Sequence, residues 1–554
     1  MTSKSKPRKS QGTEKSQPSS STTTARKRQR TEKSLPAFGA PSTADDQPSL
    51  RYNPNDPSSS ASSSRTPPVK TIPSLSTLCA RCFAAYFVKI RGDEKCWART
   101  SQHLRLVPDV IIPKLFAMLA ASHPTFLSHE TIVTYFFRGP TLTLNANVLP
   151  GVNRNTILSV PRLNSTVRDL ELSGFSKMVD DVFASIFTRL RELRTINLRY
   201  THPYKAEIEL TINVIRGCTK VGAKTVEAIA KSCPHLRVIN LNYTSAPPLP
   251  IATLINSCSE LEVLKLAGIK SWTDATFSKL AKAIDENARF ISMRTLKLRL
   301  LGLTDHSLNF LISLFPNLKR LDLSFTLLKR PSILLSEDSP ALEKLVLTST
   351  ELSAADLLSM VARLPNLKTL SLGALGIQES SKAAINNSSA MTMTDASLRS
   401  LTDIITRFEN LESVNLAANT KLGTTTKVNG ALAYFVRHVG RRCKYLNLSG
   451  IYSLRSDDLS GLLRIEDNNS PPVVERLLLN HTRIDDEASP YLGSCHNLIT
   501  LEVAGTKLTS EGLFPILDGC PQLEHLELTS CRGVPVLDRR QFFDVWENQK
   551  NAEV

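Results

Sequence analysis

The sequence predicts an α/β solenoid, with a small helical unit and a disordered basic tail ahead of it. Three observations carry this. The six-residue pattern L-x-x-L-x-L recurs thirteen times between residues 167 and 528. The stretch 74–90 sets its large apolar side chains at helical spacing just before that array. Residues 1–70 hold thirteen Lys/Arg against five Asp/Glu and almost no large apolar side chains.

The repeats begin at Val167, Leu193, Leu236, Leu261, Met293, Leu318, Leu342, Leu367, Leu411, Cys443, Val474, Leu498 and Leu523. Their basic spacing of 24–26 residues is that of leucine-rich repeats, each one short strand plus one helix. A single unit cannot bury its own apolar face, so stacked units share a core and curve into a horseshoe. Cys233, Cys258, Cys495 and Cys520 each stand three residues before the first apolar residue of a unit, where Leu190, Phe315 and Leu364 stand elsewhere. The slot is therefore a buried helix end, not a ligand or nucleophile. Longer spacings mark insertions near 201–216 and 378–393, the second expected as a flexible loop. Arg294, Lys297, Arg299, Arg320 and Asp322 are expected to line the concave strand face, which would carry the protein substrate. The Arg/Lys there could hold an acidic protein or nucleic acid. After the array (151–534), residues 535–554 with Phe542, Phe543, Val545 and Trp546 read as a C-terminal cap.

The helical unit is expected over 71–150. Leu75, Leu78, Cys79, Cys82, Phe83, Tyr86, Phe87 and Ile90 share one stripe of a helix. Pro73 and Ser74 precede it as a helix start requires. Arg91 to Gln102 reads as a polar connection. A second helix enters through prolines over 107–119, and Ser128 caps a third. So small a bundle needs a neighbour to be stable.

The chain of 554 residues carries a formal charge of +17, and the tail alone contributes 13 − 5 = +8. Too polar to offset chain entropy, the tail is expected to be disordered. Its clusters Lys6, Arg8, Lys9 and Arg26, Lys27, Arg28, Arg30 read as a nuclear import signal that could also draw the chain to DNA or chromatin. No apolar run is long enough to span a membrane, and the basic start lacks the apolar region of a secretory signal. Ten scattered cysteines fit reduced thiols in the nucleus or cytosol. Cys79 and Cys82 with Cys96 could be half a zinc site, but no second pair lies nearby and helical spacing accounts for them.

Ser74-Leu75-x-x-x-Cys79-x-x-x-Phe83 resembles the BC box of elongin C-binding proteins. The resemblance implies a helix-in-groove contact through Leu75, Cys79 and Phe83. Phe83 departs from the aliphatic residue usual at the last position. Val107, Pro108 and Val110 resemble the start of the cullin box that follows in those families. The C-P-x-L stretches at Cys233 and Cys520 resemble the cysteine-containing repeats of F-box substrate receptors. The order of tail, box and array is similar to the fungal leucine-rich-repeat subunits of global-genome nucleotide excision repair. Together these imply a nuclear adaptor that joins an elongin C-like protein and a cullin to a target.

No nucleophile elbow, HExxH, P-loop or paired-carboxylate arrangement is present, so neither catalysis nor a cofactor is expected. Two other readings stay open. Val107-Pro108-Asp109-Val110-Ile111 is close to the L-P-x-x-L/I entry of an F-box, and a nuclear scaffold without ligase coupling would show the same array.

Overall fold

The computed structural model describes residues 62–64, 73–198, 218–285, 287–374, 393–424, 430–463 and 471–539. All thirteen motif copies form strands. They are β3 (Asp169–Ser173), β4 (Thr195–Asn197), β5 (Val238–Asn240), β6 (Val263–Lys265), β7 (Thr295–Lys297), β8 (Arg320–Asp322) and β9 (Lys344–Val346). The series continues with β10 (Thr369–Ser371), β11 (Ser413–Asn415), β12 (Tyr445–Asn447), β13 (Arg476–Leu478), β14 (Thr500–Glu502) and β15 (His525–Glu527). They pair in parallel and in chain order, and the register aligns equivalent positions, so that Leu264, Leu296, Leu321 and Leu345 stand side by side. The three apolar positions of each motif point inward, each worth roughly 1.5–3 kcal/mol when buried. Most of the residues between them are exposed or half-buried, with Asn240, Ser371, Leu478 and Glu502 as buried exceptions.

Two strands lie outside the motif count. β2 (Thr141–Asn145) pairs in parallel with β3. Leu142 and Leu144 are buried there, so the array begins inside the segment expected to be purely helical. β1 (Ser62–Ser64) pairs antiparallel with β15, although residues 1–70 were expected to be without structure.

The first helices are α1 (Leu75–Gly92), α2 (Glu94–Leu106), α3 (Ile112–Ser122), α4 (His129–Tyr135), α5 (Arg154–Leu163) and α6 (Asp180–Phe187). α2 corrects the expected polar connection. Its N-cap is Asp93, whose carboxylate accepts from the Lys95 and Cys96 amides, and Leu104 anchors it. The second predicted helix starts at Ile112, not Val107, because Pro113 takes the first turn, where its missing N–H costs nothing. Residues 107–111 are the turn between α2 and α3. Ser128 caps α4 as expected, accepting from the Thr131 amide.

The repeats are tied to one another by two recurring contacts. Cysteines of the helix-end slot reach back one repeat: the Cys258 thiol donates to the Cys233 carbonyl at 3.5 Å, Cys233 to that of Leu190 at 3.4 Å, and Cys520 to that of Cys495 at 3.5 Å. Burial pushes the thiols of Cys233, Cys495 and Cys520 up to about 12 and that of Cys258 up to about 11. Aspartates at helix starts reach forward. Asp180 accepts from the Gly222 and Lys224 amides at 2.7 and 3.0 Å. Asp274 accepts from the Thr304 amide at 3.1 Å and from the Thr304 and Ser307 hydroxyls at 2.7 and 2.6 Å. Asp486 accepts from the Thr509 amide and hydroxyl at 2.8 and 2.6 Å.

A third regularity follows most of the strands. Two residues beyond the last apolar motif position, the chain enters the left-handed region at Gly174, Tyr243, Gly268, Leu300, Phe325, Ser349, Ala418, Gly450, His481, Gly505 and Ser530. This sharp turn sends the chain from the sheet to the helix layer, and it is held at non-glycine residues despite a cost of roughly 1–2 kcal/mol each.

Both tail clusters, the insertions at 201–216 and 378–392, and the aromatic residues of the expected C-terminal cap lie outside the described residues.

Candidate partner-docking site

α1 divides its apolar residues between two directions. Ala80, Ala84 and Phe87 are buried, and α1 packs on α3 through this side. The two alanines let the helices approach closely. The Phe87 ring stands 5.7 Å from Phe83 and 6.0 Å from Trp97, and Trp97 stands 5.7 Å from Tyr135. This aromatic chain fixes α1 against α2 and α4. Edge-on pairs of this kind add roughly 0.5–1.5 kcal/mol beyond area burial.

Leu75, Leu78, Cys79, Cys82 and Tyr86 face outward. Leu75 is 77% exposed, an unusual state for a leucine within a stable helix turn. At 3.6 residues per turn the expected stripe spans about half the helix circumference. The structure uses one flank for the core and leaves the other open. Phe83 lies on the boundary, half-buried against the core, and joins Cys79, Cys82, Tyr86, Lys89 and Ile90 around a shallow depression. Of the three expected contact residues, Leu75 and Cys79 are thus free to meet a partner and Phe83 offers one edge.

Ser74 occupies the N-cap position but does not cap a backbone amide. Its hydroxyl lies 3.0 Å from that of Ser76 and 2.9 Å from that of Thr77. Lys114 of α3 donates to Ser76 and Thr77 at 3.0 and 3.1 Å. The ammonium therefore ties the start of α1 to the first turns of α3.

That tie brings the turn at 107–111 to the same end of the helical unit. Val107 packs against the core, Pro108 is exposed, and Val110 and Leu106 are 82% and 78% exposed. Arg138 holds the turn from beneath. Its Nη2 donates to the Leu104 carbonyl at 2.8 Å, Nη1 to that of Arg105 at 2.9 Å, and Nη1 stands 3.3 Å from Asp109. Gly139 follows at φ +93°, and a Cβ there would stand 2.4 Å from the Asp109 carbonyl oxygen. The exposed apolar residues of both predicted boxes therefore sit on a rigid support.

Cys79, Cys82 and Cys96 are free and exposed. Among the described residues no group of three or more potential metal ligands occurs. No described helix is long and apolar enough to cross a membrane.

The strand face is built from the residues flanking the central motif position and continues past β7 at Arg299. Lys297, Arg299, Arg320 and Asp322 lie on it, and Lys297 pairs with Asp322 at 3.8 Å. Arg294 does not. It precedes β7, and its guanidinium turns to the Asn317 carbonyl at 3.2 Å. Lys265 and Lys344, which the sequence reading passed over, join the face because they occupy the equivalent positions of β6 and β9. The repeat register was the signal that could have found them.

No family model matches the chain. It is 42% identical over 58 residues to the Putative F-box/LRR-repeat protein 23 of Arabidopsis thaliana, a match covering 10% of this chain and 13% of that protein. It is 30% identical over 142 residues to the Putative F-box/LRR-repeat protein 21 of the same plant, covering 25% of this chain and 44% of that protein. The chain thus spans less than half the length of these curated relatives. Among solved structures, it aligns with a chain of the yeast Rad7 and Elc1 complex at 17% identity and a TM-score of 0.44, over 85% of this chain and 100% of that one. An internalin of Listeria monocytogenes aligns at 14% identity and a TM-score of 0.35, over 72% and 92%. The chain is a leucine-rich-repeat protein, similar over part of its length to F-box/LRR-repeat proteins.

Proposed function

We propose that the chain is the substrate receptor of a cullin-type ubiquitin ligase, acting in the nucleus. α1 docks an elongin C-like adaptor, the turn carrying Val107, Pro108 and Val110 meets the cullin, and the strand face selects the target protein. The observation that carries this reading is the open flank of α1. Leu75, Leu78, Cys79, Cys82 and Tyr86 stay exposed on a helix whose other flank is firmly packed. Such a flank is the form a helix-in-groove contact requires. An N-terminal cap on the array would have turned these residues inward. The basic clusters of the tail support nuclear import and chromatin association, and the similarity in tail, box and array order extends the proposal to nucleotide excision repair.

A second reading has its own support. The curated relatives are F-box/LRR-repeat proteins by name, and Leu106 at the end of α2 and Val110 in the turn before α3 are exposed. On that reading a Skp-type adaptor covers the α2–α3 turn. Co-purification of the full chain with elongin B/C and with a Skp-type adaptor separates the two. Capture of elongin C supports the first reading, and capture of the Skp-type adaptor alone replaces it with the second.

A further inference from the structure

Across most of the sheet, charged residues on the strand face are few, but four adjacent strands differ. β6 supplies Lys265, β7 Lys297, the residue two beyond it Arg299, β8 Arg320 and β9 Lys344, against a single carboxylate, Asp322. Register sets like charges next to each other: Lys265 is the partner of Lys297, and Arg320 of Lys344. Neighbouring like charges on adjacent strands are destabilising. Arg320 and Lys344 are exposed and form no ion pair among the described residues. Arg299 lies over the Phe325 ring at 5.0 Å, which fixes its guanidinium on this face.

We infer that this band is where the target docks, and that the target presents an acidic, extended polypeptide segment. An anionic partner removes the repulsion between the registered pair Arg320 and Lys344, so the band's own arrangement favours it. Three features favour a polypeptide over nucleic acid. The cations span only four strands, about 14 Å at strand spacing, which matches a short peptide rather than a tract of phosphates. Half-buried Val263 and Val346 share the face and suit side chains between acidic residues. Phe325, the aromatic ring of the band, is buried beneath Arg299, whereas single-stranded nucleic acids are bound through exposed rings on which bases stack. The inference deepens the proposed role of the strand face and is independent of α1. Loss of elongin C binding would leave it standing, and its own failure would leave adaptor docking standing.

The test uses the full chain and a fluorescent peptide of about six glutamates, about 20 Å when extended. An oligothymidylate of equal charge serves as the second probe. Arg320→Glu with Lys344→Glu reverses two exposed positions, and Lys344→Gln is a milder variant should the double reversal fail to fold. We expect the peptide to bind, to weaken with added salt, and to lose about tenfold or more in affinity in the double variant, with a smaller loss in Lys344→Gln. Absence of peptide binding overturns the inference. So does peptide binding unchanged in both variants, which would place it on the basic tail. Tighter binding of the oligothymidylate, lost in the same variants, would make the band a nucleic-acid surface instead.

Discussion

The Tyr243 ring lies directly over Gly268, so close that a Cβ built on the glycine would stand 2.3 Å from two ring carbons. Both residues occupy the left-handed turn slot, one repeat apart, with φ of 60° and 70°. His481 stands over Gly505 in the same way, 2.5 Å from a would-be Cβ. At these two pairs the ring lies where a Cβ of the next repeat would stand, so each requires a glycine there, whereas Leu300 and Phe325 are followed by Phe325 and Ser349 in the same slot. Gly268→Ala is expected to lower unfolding stability by about 1–3 kcal/mol, from left-handed strain and the ring clash together. Tyr243→Ala in the same chain should recover the clash but not the strain, and denaturant unfolding of the double-mutant cycle reads the difference.

The Asp274 brace makes the array acid-sensitive. Burial pushes the Asp274 carboxyl up, but hydrogen bonds from Ser307 and Thr304 outweigh it and hold the group below its ordinary 3.8. A depressed carboxyl stabilises the fold fully above its unfolded value and loses that contribution as pH falls through the folded one. The loss should therefore set in below about pH 4. Asp274→Asn is expected to cost about 1–2 kcal/mol at neutral pH and to flatten the stability profile below that point. Thermal unfolding as a function of pH checks it.

Thiol chemistry separates the two cysteine populations. Cys79, Cys82 and Cys96 should alkylate in the native chain, and the seven buried thiols only after unfolding. The Asp93 carboxylate, hydrogen-bonded to Cys96, raises that thiol's pKa, so Cys96 should react more slowly than an ordinary thiol at the same pH. Peptide mapping after alkylation at neutral pH reads both. An elongin C-like partner on α1 should shield Cys79 and leave Cys96 reactive.

The Arg138 clamp yields a prediction for the second box. Gly139→Ala would drive a Cβ into the Asp109 carbonyl and displace the 107–111 turn. Stability should fall by about 1–3 kcal/mol. Cullin binding should weaken while binding of the α1 partner is retained, and separate pull-downs of the two partners check this.

The repeats were legible because thirteen copies of one pattern average out local ambiguity, and each copy did become a strand. The cysteine slot was legible for the same reason, since leucine and phenylalanine fill it in sister repeats. α2 was missed because its buried anchors are few, Leu104 with half-buried Trp97, amid Glu, Lys, Arg and Gln. Its Asp93 cap was the available signal. β2 was missed because Thr-Leu-Thr-Leu-Asn lacks the leading apolar residue of the motif, although its strict alternation announced a strand. On α1, periodicity identified a stripe but not which flank would be buried. Tertiary packing chose the flank bearing Ala80 and Ala84, small residues that a hydrophobicity pattern discounts.

The most direct measurement of the central claim is calorimetric titration of elongin B/C into the full chain, wild type against Leu75→Ala with Cys79→Ala. Both side chains are exposed, so the variant should keep its circular dichroism spectrum and unfolding midpoint. The wild type should bind, and the variant should lose about 2–4 kcal/mol, as for anchors of a helix-in-groove interface. No binding by the wild type, or equal binding by a folded variant, would contradict the claim.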